Sequence, residues 1–425
     1  MRWCVVLLTV LGLGLLACGG VAAEKPASPG QDSLAVLVDL LAEKGVITAD
    51  ERDALKERIT EAEAQKQAEA EAAREAAKKP KYPTMKTKVR LETRFSSVQE
   101  DTGQPFFGNR DDRTGGDGFA VRRARLYFMG DVRRGLGYKL QYQSDWGQKN
   151  PNLHVAQLEY RGWDFANLVI GQQQTTFGYE IATSDAYLLC IDRAAVSDFL
   201  PPDKDIGLML KSKRPLPGGL GYEIYVGNGS GKYLGNPNNG YLWIARLKAK
   251  PTPHLAVAAA VFSNQDTDFS PYQSRFLKKN GDPYGLLSAY TAGAVDERAW
   301  EVDAQWTNGR STVWAEYIKS RIEPDGGAPI NADGYYVYLH HFLPYAGRTD
   351  KLEAVLGYQK FDPNDAVTDK YDLTAYVLRL NYHLTGHRYH KPRCKEVLRF
   401  NYVWNKEAVG SVKNDKFIVQ YQTWF

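Results

Sequence analysis

Cysteine and methionine are almost missing from this 425-residue chain, with four of each. Cys4 and Cys18 fall near the start, which leaves Cys190 and Cys394, far apart in sequence. Two lone cysteines exclude a disulfide framework, so unpaired or buried thiols are expected even where an oxidising compartment would permit a bridge. Long apolar runs are missing too. Beyond the first residues no window approaches the roughly 18 to 20 apolar residues of a membrane helix, and the mean hydropathy is negative. Nor does one sign of charge dominate. A net charge of +4 is too weak to argue for a nucleic-acid partner. What abounds is aromatic: 26 Tyr and 9 Trp. With so little Met, that balance is odd for a soluble enzyme and ordinary for a β-barrel ringed by Tyr and Trp at two membrane interfaces.

The chain opens as an exported protein does. Arg2 is followed by the apolar run VVLLTVLGLGLL and then small residues, with no further charge before Glu24. This reads as a signal peptide over 1–23, cleaved after Ala23. LLAC ending at Cys18 offers a rival reading as a lipidation site, although Leu16 is not the usual small residue there. Both readings export the protein.

Residues 31–79 have no Pro and are rich in Ala, Glu, Lys and Leu. Leu34, Leu37, Val38 and Leu41 mark a short amphipathic helix ended by Gly45. Thr48 with Glu51 forms a capping box for a second helix, with Ile47 as a staple residue. Leu55, Ile59 and Ala62 begin a heptad seam whose apolar content fades through Lys66, Glu69, Ala73 and Ala76. A periplasmic coiled-coil stalk and a solvated single helix both fit. Pro80 and Pro83 bound a linker over 80–86.

From there the hydrophobic period is two. VRLETRF sets Val89, Leu91, Thr93 and Phe95 against Arg90, Glu92 and Arg94. The last residues, FIVQYQTWF, set Phe417, Val419, Tyr421, Thr423 and Phe425 against a mostly polar face. Such segments predict strands near 87–96, 119–130, 137–146, 154–162, 166–173, 204–213, 219–228, 240–250, 254–263, 298–307, 311–320, 334–343, 350–361, 372–384, 394–405 and 415–425. Each is close to the roughly 10 residues of a tilted membrane strand, and their number is even. Long connections (97–118, 174–203, 264–297) alternate with short ones, while 344–349 and 385–393 are less short. The fold class predicted is therefore all-β, a sixteen-stranded antiparallel transmembrane barrel over 87–425 behind an α-helical preface. In a barrel the last strand pairs with the first, which leaves no edge.

The inward parity carries Arg123, Arg125, Lys139, Arg161, Lys211, Arg246, Lys248, Arg379 and Arg399, with Glu92, Glu159, Glu301, Asp303 and Glu353 among them. A ring of Arg or Lys lowers the energy of an anion in a narrow pore, and Arg binds phosphate bidentately. The interspersed acids could instead pair with these cations and brace the wall, so a weak to moderate anion preference is expected. Arg123, Arg125 and Arg193 are the candidates for the basic side of a constriction.

Other motifs carry less. His383, His387, His390 and Cys394 are zinc-type ligands, but Gly386 and Pro392 place them in a turn. VGNGSGKY lacks the spacing of a phosphate loop and has Tyr233 where Ser or Thr is needed. DDRTGGDG could offer Asp111, Asp112 and Asp117 to calcium, or be a solvated acidic loop. His340 and His341 raise a barrel enzyme, a lipid or peptide hydrolase, as the alternative function. Adjacent strand residues face opposite sides, so only one could serve.

FAVRRARLYFMGDV, LVIGQQQTTFGYEIATSDAY, DRAAVSDFLPPDKDIGLML, STVWAEYIKS and the ending LRFNYVW…FIVQYQTWF, in that order, resemble the phosphate-selective porin O and P family. The likeness runs loosely over 86–425, and LVDLLAEKGVITADE looks like segments found before such barrels. The resemblance implies a porin of the bacterial outer membrane, a homotrimer embedded in outer-membrane lipid and without cofactor. It would pass small hydrophilic solutes, small anions such as phosphate among them. Loop 174–203 would fold into the lumen as a constriction, and lumenal Arg and Lys would set selectivity, the RRAR pair being a common family position. On this reading Arg123, Arg125, Lys139, Arg161, Arg193, Arg246, Arg379 and Arg399 line the pore. The terminal aromatic also resembles the signal read by outer-membrane assembly machinery.

Overall fold

The computed structural model describes residues 31–78, 82–99, 118–145, 152–236, 239–265, 295–324, 327–385, 396–411 and 413–425. The leader with Cys4 and Cys18, the acidic loop with Asp111, Asp112 and Asp117, and His387, His390 and Cys394 lie outside these residues. The chain forms two compact units, divided after Pro80.

The first unit holds helices α1 (Gln31–Glu43) and α2 (Ala49–Lys78). Gly45 adopts a φ of 70°, open to glycine at no steric cost, and the Val46 N–H donates back to Leu41 O at 3.0 Å. The capping box is formed: the Thr48 N–H donates to Glu51 Oε2 at 2.8 Å and the Glu51 N–H to Thr48 Oγ1 at 3.3 Å. Val38 is buried and Lys56 Nζ lies 2.5 Å from Asp39 Oδ1, so the two helices touch. Thr48→Ala is expected to cost the start of α2 about 1 kcal/mol, seen as faster amide exchange over 49–53.

The second unit is a closed antiparallel barrel of sixteen strands. In order they are β1 (Lys86–Val98), β2 (Gly118–Arg133), β3 (Leu136–Asp145), β4 (Asn152–Tyr160), β5 (Ala166–Gln174), β6 (Lys204–Ser212), β7 (Gly221–Gly227) and β8 (Leu242–Ala249). Then come β9 (Leu255–Asn264), β10 (Val295–Asn308), β11 (Ser311–Pro324), β12 (Ile330–Tyr345), β13 (Arg348–Asp362), β14 (Leu373–His383), β15 (Glu396–Glu407) and β16 (Lys416–Trp424). All sixteen segments read from period two are strands. β16 closes on β1 in a register running from Arg90 opposite Trp424 to Val98 opposite Lys416. Val89 and Phe425 exchange backbone hydrogen bonds of 2.8 and 3.1 Å across the seam.

The connection at 344–349 differs from the sequence reading. The turn expected to be longer at 344–349 is just Ala346 and Gly347, because β12 and β13 pair down to Tyr345 opposite Arg348.

Outward residues such as Leu126, Leu158, Ile170, Leu247, Val302, Leu339, Leu356 and Phe400 form an exposed apolar belt. Aromatic girdles border it, as at a membrane interface. Toward the long loops Trp300 meets Tyr317, and Tyr358 meets both Tyr335 and Tyr376, with ring centroids 5.2 to 5.8 Å apart. Toward the short turns lie Tyr160, Trp163 and Phe165, and Tyr345 with Tyr382.

The inner face has two characters. On β1 to β4 and β14 to β16 it is polar, with Arg90, Glu92, Arg94, Arg125, Gln141, Arg379, Arg399 and Gln420 buried. On β7 to β14 much of it is apolar: Tyr225, Ile244, Phe262, Trp314, Ile318, Tyr336, Tyr338, Val355 and Phe361. Residues 175–203, between β5 and β6 and termed L3 below, fill that apolar half.

Candidate functional site

L3 enters the lumen through Gly178, whose φ of 84° turns the chain into the short helix α3 (Tyr179–Ala182). A second short helix, α4 (Ala195–Phe199), follows. Phe177, Ile181, Ala194, Val196, Phe199 and Leu200 are all at most 2% exposed, which a loop in solvent would not be. Phe177 packs edge-on against Phe262 at 4.7 Å, Tyr179 against Trp314 at 4.7 Å, and Phe199 stacks on Phe361 at 5.6 Å. Each buried aromatic contributes roughly 2–3 kcal/mol to holding the loop down. Polar contacts fix its register. The Tyr179 N–H and Ser197 Oγ donate to the two oxygens of Glu316 at 2.7 and 3.1 Å, and the Ala195 N–H donates to Gln359 at 2.9 Å.

The tip of L3 reaches the opposite, polar wall. Asp185 sits among three guanidiniums: Arg90 Nη1 at 2.5 Å, Arg125 Nη1 at 2.7 Å and Arg123 Nε at 3.0 Å. Burial would push the Asp185 carboxyl up, but Arg123, Arg125 and Arg90 more than offset it and hold it well below the ordinary range. A depressed carboxyl stabilises the fold above its ordinary pKa and loses that contribution only as pH falls through the lowered one. This tether therefore persists through the mildly acid range. Nearby, Arg94 Nη2 lies 3.0 Å from Asp192 and 3.1 Å from Gln420 Oε1. Arg379 donates to the Leu188 and Leu189 carbonyls, and Arg399 donates to Ala186 O at 3.0 Å.

Glu180 titrates the other way. Burial, with Glu316 beside it, pushes its carboxyl up to about 8, while the Ala194 N–H donates to it at 2.8 Å. A raised carboxyl withdraws stability as pH climbs from the ordinary Glu range through the raised value. L3 packing should therefore loosen, and open-channel noise rise, as pH passes about 8. Glu180→Gln is expected to flatten that rise, and a native noise level flat across this range would refute it.

Between L3 and the β1 to β4 wall a cavity of about 430 Å³ remains. Eight Lys or Arg line it against four Asp, so its potential is positive. Arg123, Arg125, Lys139 and Arg193 of the eight sequence candidates meet there, joined by Arg122, Lys88, Lys204 and Lys232. Lys139 has no ion pair among the described residues. A second cavity of about 780 Å³ lies toward the short turns and is lined by Arg379 and Arg399. Thr183, Tyr187 and Leu188 line both, so the two cavities adjoin at the tip of L3, and a path along the lumen would run through them.

Two candidates lie off this path. β4 ends at Tyr160, so Arg161 begins a turn where parity no longer sets direction, and it pairs with Asp131. Arg246 is buried against Glu301 and Asp303 in the wall. Three arginines were missed. Arg90 and Arg94 share the inward parity of β1 and were not drawn into the site. Arg122 has the wrong parity, but it is the extra residue of a β-bulge. Glu92 pairs with Arg123 and Thr93 with Val121, which turns Arg122 and Arg123 inward together.

The set-aside motifs are accounted for. In VGNGSGKY the Gly229 and Gly231 amides donate to Asp205 at 2.9 and 3.2 Å, so an internal carboxylate occupies the would-be phosphate nest. His383 and His340 face Glu353 at 2.6 and 3.3 Å, and among the described residues no group of three or more such side chains is arranged so that it could hold a metal ion. Cys190 is buried in L3, and burial pushes its thiol up to about 12.

The family model of phosphate-selective porin O and P matches residues 94–408. Porin O of Pseudomonas aeruginosa is 23% identical over 278 residues, 58% of this chain and 62% of that protein. An uncharacterised protein of Aquifex aeolicus is 23% identical over 407 residues, 84% of this chain and 88% of its own. Among solved structures, the trimer form of OmpT, an outer membrane protein of Vibrio cholerae, superposes with a TM-score of 0.55 at 14% identity, covering 80% of this chain and 99% of that one. An anion-selective porin from Comamonas acidovorans gives 0.54 at 13% identity, with the same coverage. At such identities these structures bear on the fold alone.

Proposed function

Since this chain belongs to the phosphate-selective porin O and P family of the bacterial outer membrane, we propose that it is a passive channel for small hydrophilic solutes that prefers anions. The observation that carries this reading is the positive excess along the path past L3. In a narrow, partly desolvated passage each surplus cation lowers the energy of an anion and raises that of a cation. Inorganic phosphate is among the anions that the positive charge of Arg122, Arg123 and Arg125 suits. On this reading Arg123, Arg125, Lys139 and Arg193, which line the upper cavity, set selectivity, while Arg379 and Arg399 hold the loop. Association as a homotrimer fits the family, with the helical unit in the periplasm.

A channel also fits better than a hydrolase. Ser311 Oγ lies 2.8 Å from His341 Nδ1, but across neighbouring strands, and nothing orients the other ring nitrogen among the described residues. The pair lacks the third member of a catalytic triad.

The test is the purified protein in a planar bilayer, with reversal potential recorded in a KCl gradient and phosphate then titrated. An anion-selective conductance is expected. Block by phosphate would make phosphate a ligand of the passage. Conductance without selectivity would leave a general porin, and no conductance at all would return the hydrolase.

A further inference from the structure

An anion that follows this path must also pass an aromatic lip. Tyr127 on β2 and Trp424 on β16 face the lumen with ring centroids 5.6 Å apart, and the Arg90 guanidinium lies 5.3 Å from the centre of the Trp424 ring. Tyr187, at the tip of L3, lies within 10° of parallel to Trp424 at 6.5 Å. Trp424 is thus occupied by three neighbours and Tyr127 is buried, but Tyr187 is 40% exposed. The backbone beneath it is held in a turn, the Tyr187 N–H donating to Ser184 O at 2.8 Å. Tyr187 lines both cavities, and it shares the upper one with Arg125 and Lys139.

A hydrated inorganic anion gains nothing from a tyrosine face, whose π-cloud is negative. A ring that carries a carboxylate gains twice. Its charge meets Lys139 or Arg125, and its plane stacks on the exposed ring. We propose that the passage transiently binds, and preferentially admits, organic anions built on a planar ring, aromatic carboxylates being the simplest class. This rests on the anion-channel reading above and narrows it.

The test measures block of chloride current through the full-length protein in bilayers by benzoate, cyclohexanecarboxylate and inorganic phosphate. Benzoate and cyclohexanecarboxylate share charge and similar bulk, and only one is planar and aromatic. Benzoate is expected to block about fivefold more tightly than either, the scale of one stacking contact. Tyr187→Ser should bring the benzoate-to-cyclohexanecarboxylate ratio close to one, and Tyr187→Phe, which keeps the ring, should retain it. Three results would overturn the proposal and leave the channel standing: equal block by the two ring acids, tighter block by phosphate than by benzoate, or equal weakening of all three by Tyr187→Ser. Absence of conductance would overturn the channel reading, and the proposal with it.

Discussion

Neutralising Arg123, Arg125 and Arg193 together to Gln is expected to lower the anion-to-cation permeability ratio about tenfold or more. The change leaves five Lys or Arg facing four Asp along the upper cavity. It also strips Asp185 of two of its three guanidiniums, so that its charge bears on the passage. Two unit charges about 4 Å apart interact by about 1 kcal/mol in bulk water and by about 4 kcal/mol at an effective dielectric near 20. Three lost cations therefore suffice for an order of magnitude. Reversal potentials in a KCl gradient should move toward zero or past it. Arg161→Gln, at a turn and off the path, should leave them in place. An unchanged reversal potential in the triple variant would remove these arginines from selectivity.

The second large effect is on stability. Asp185→Ala leaves Arg90, Arg123 and Arg125 buried around a missing partner, with Glu92 as the remaining acid bridged to Arg90 and Arg123. Breaking a buried ion network from one side costs about 3–5 kcal/mol. The expected result is a lowered urea midpoint for loss of the folded, fast-migrating barrel on gels, with noisier single-channel currents as the L3 tip detaches. Asp185→Glu, which keeps the charge, should recover part of both. A midpoint equal to the native one would mean that the other contacts of L3, the packing of Phe177, Phe199 and Leu200 among them, hold the loop without Asp185.

Most of the barrel was legible because its strands obey one rule, apolar to lipid and polar to lumen, which period two exposes directly. VRLETRF and FIVQYQTWF stand opposite each other in the closed seam for that reason. The rule is weakest where the lumen is dry. In β11, Trp314, Ile318 and Ile322 point inward and Val313 and Tyr317 outward, so both parities are apolar, and no alternation announces that L3 packs there. The site was legible where parity held, as for Arg123, Arg125 and Lys139. It failed at Arg122, where one inserted residue reverses facing, and at Arg161, where the strand had already ended. Which cations meet Asp185 could not be read at all, because that contact joins residues about 60 to 95 apart through a loop with no periodicity.

L3 also makes the barrel a wheel with a spoke. It is rooted between β5 and β6, bolted to β11 and β13 along its length, and pinned at its tip to β1, β2, β14 and β15, strands at or near the closing seam. A hollow cylinder of this girth flattens under sideways pressure from the bilayer, and flattening would throttle its bore. A strut across the diameter resists that deformation, so the bore should hold its calibre when membrane tension or lipid thickness changes.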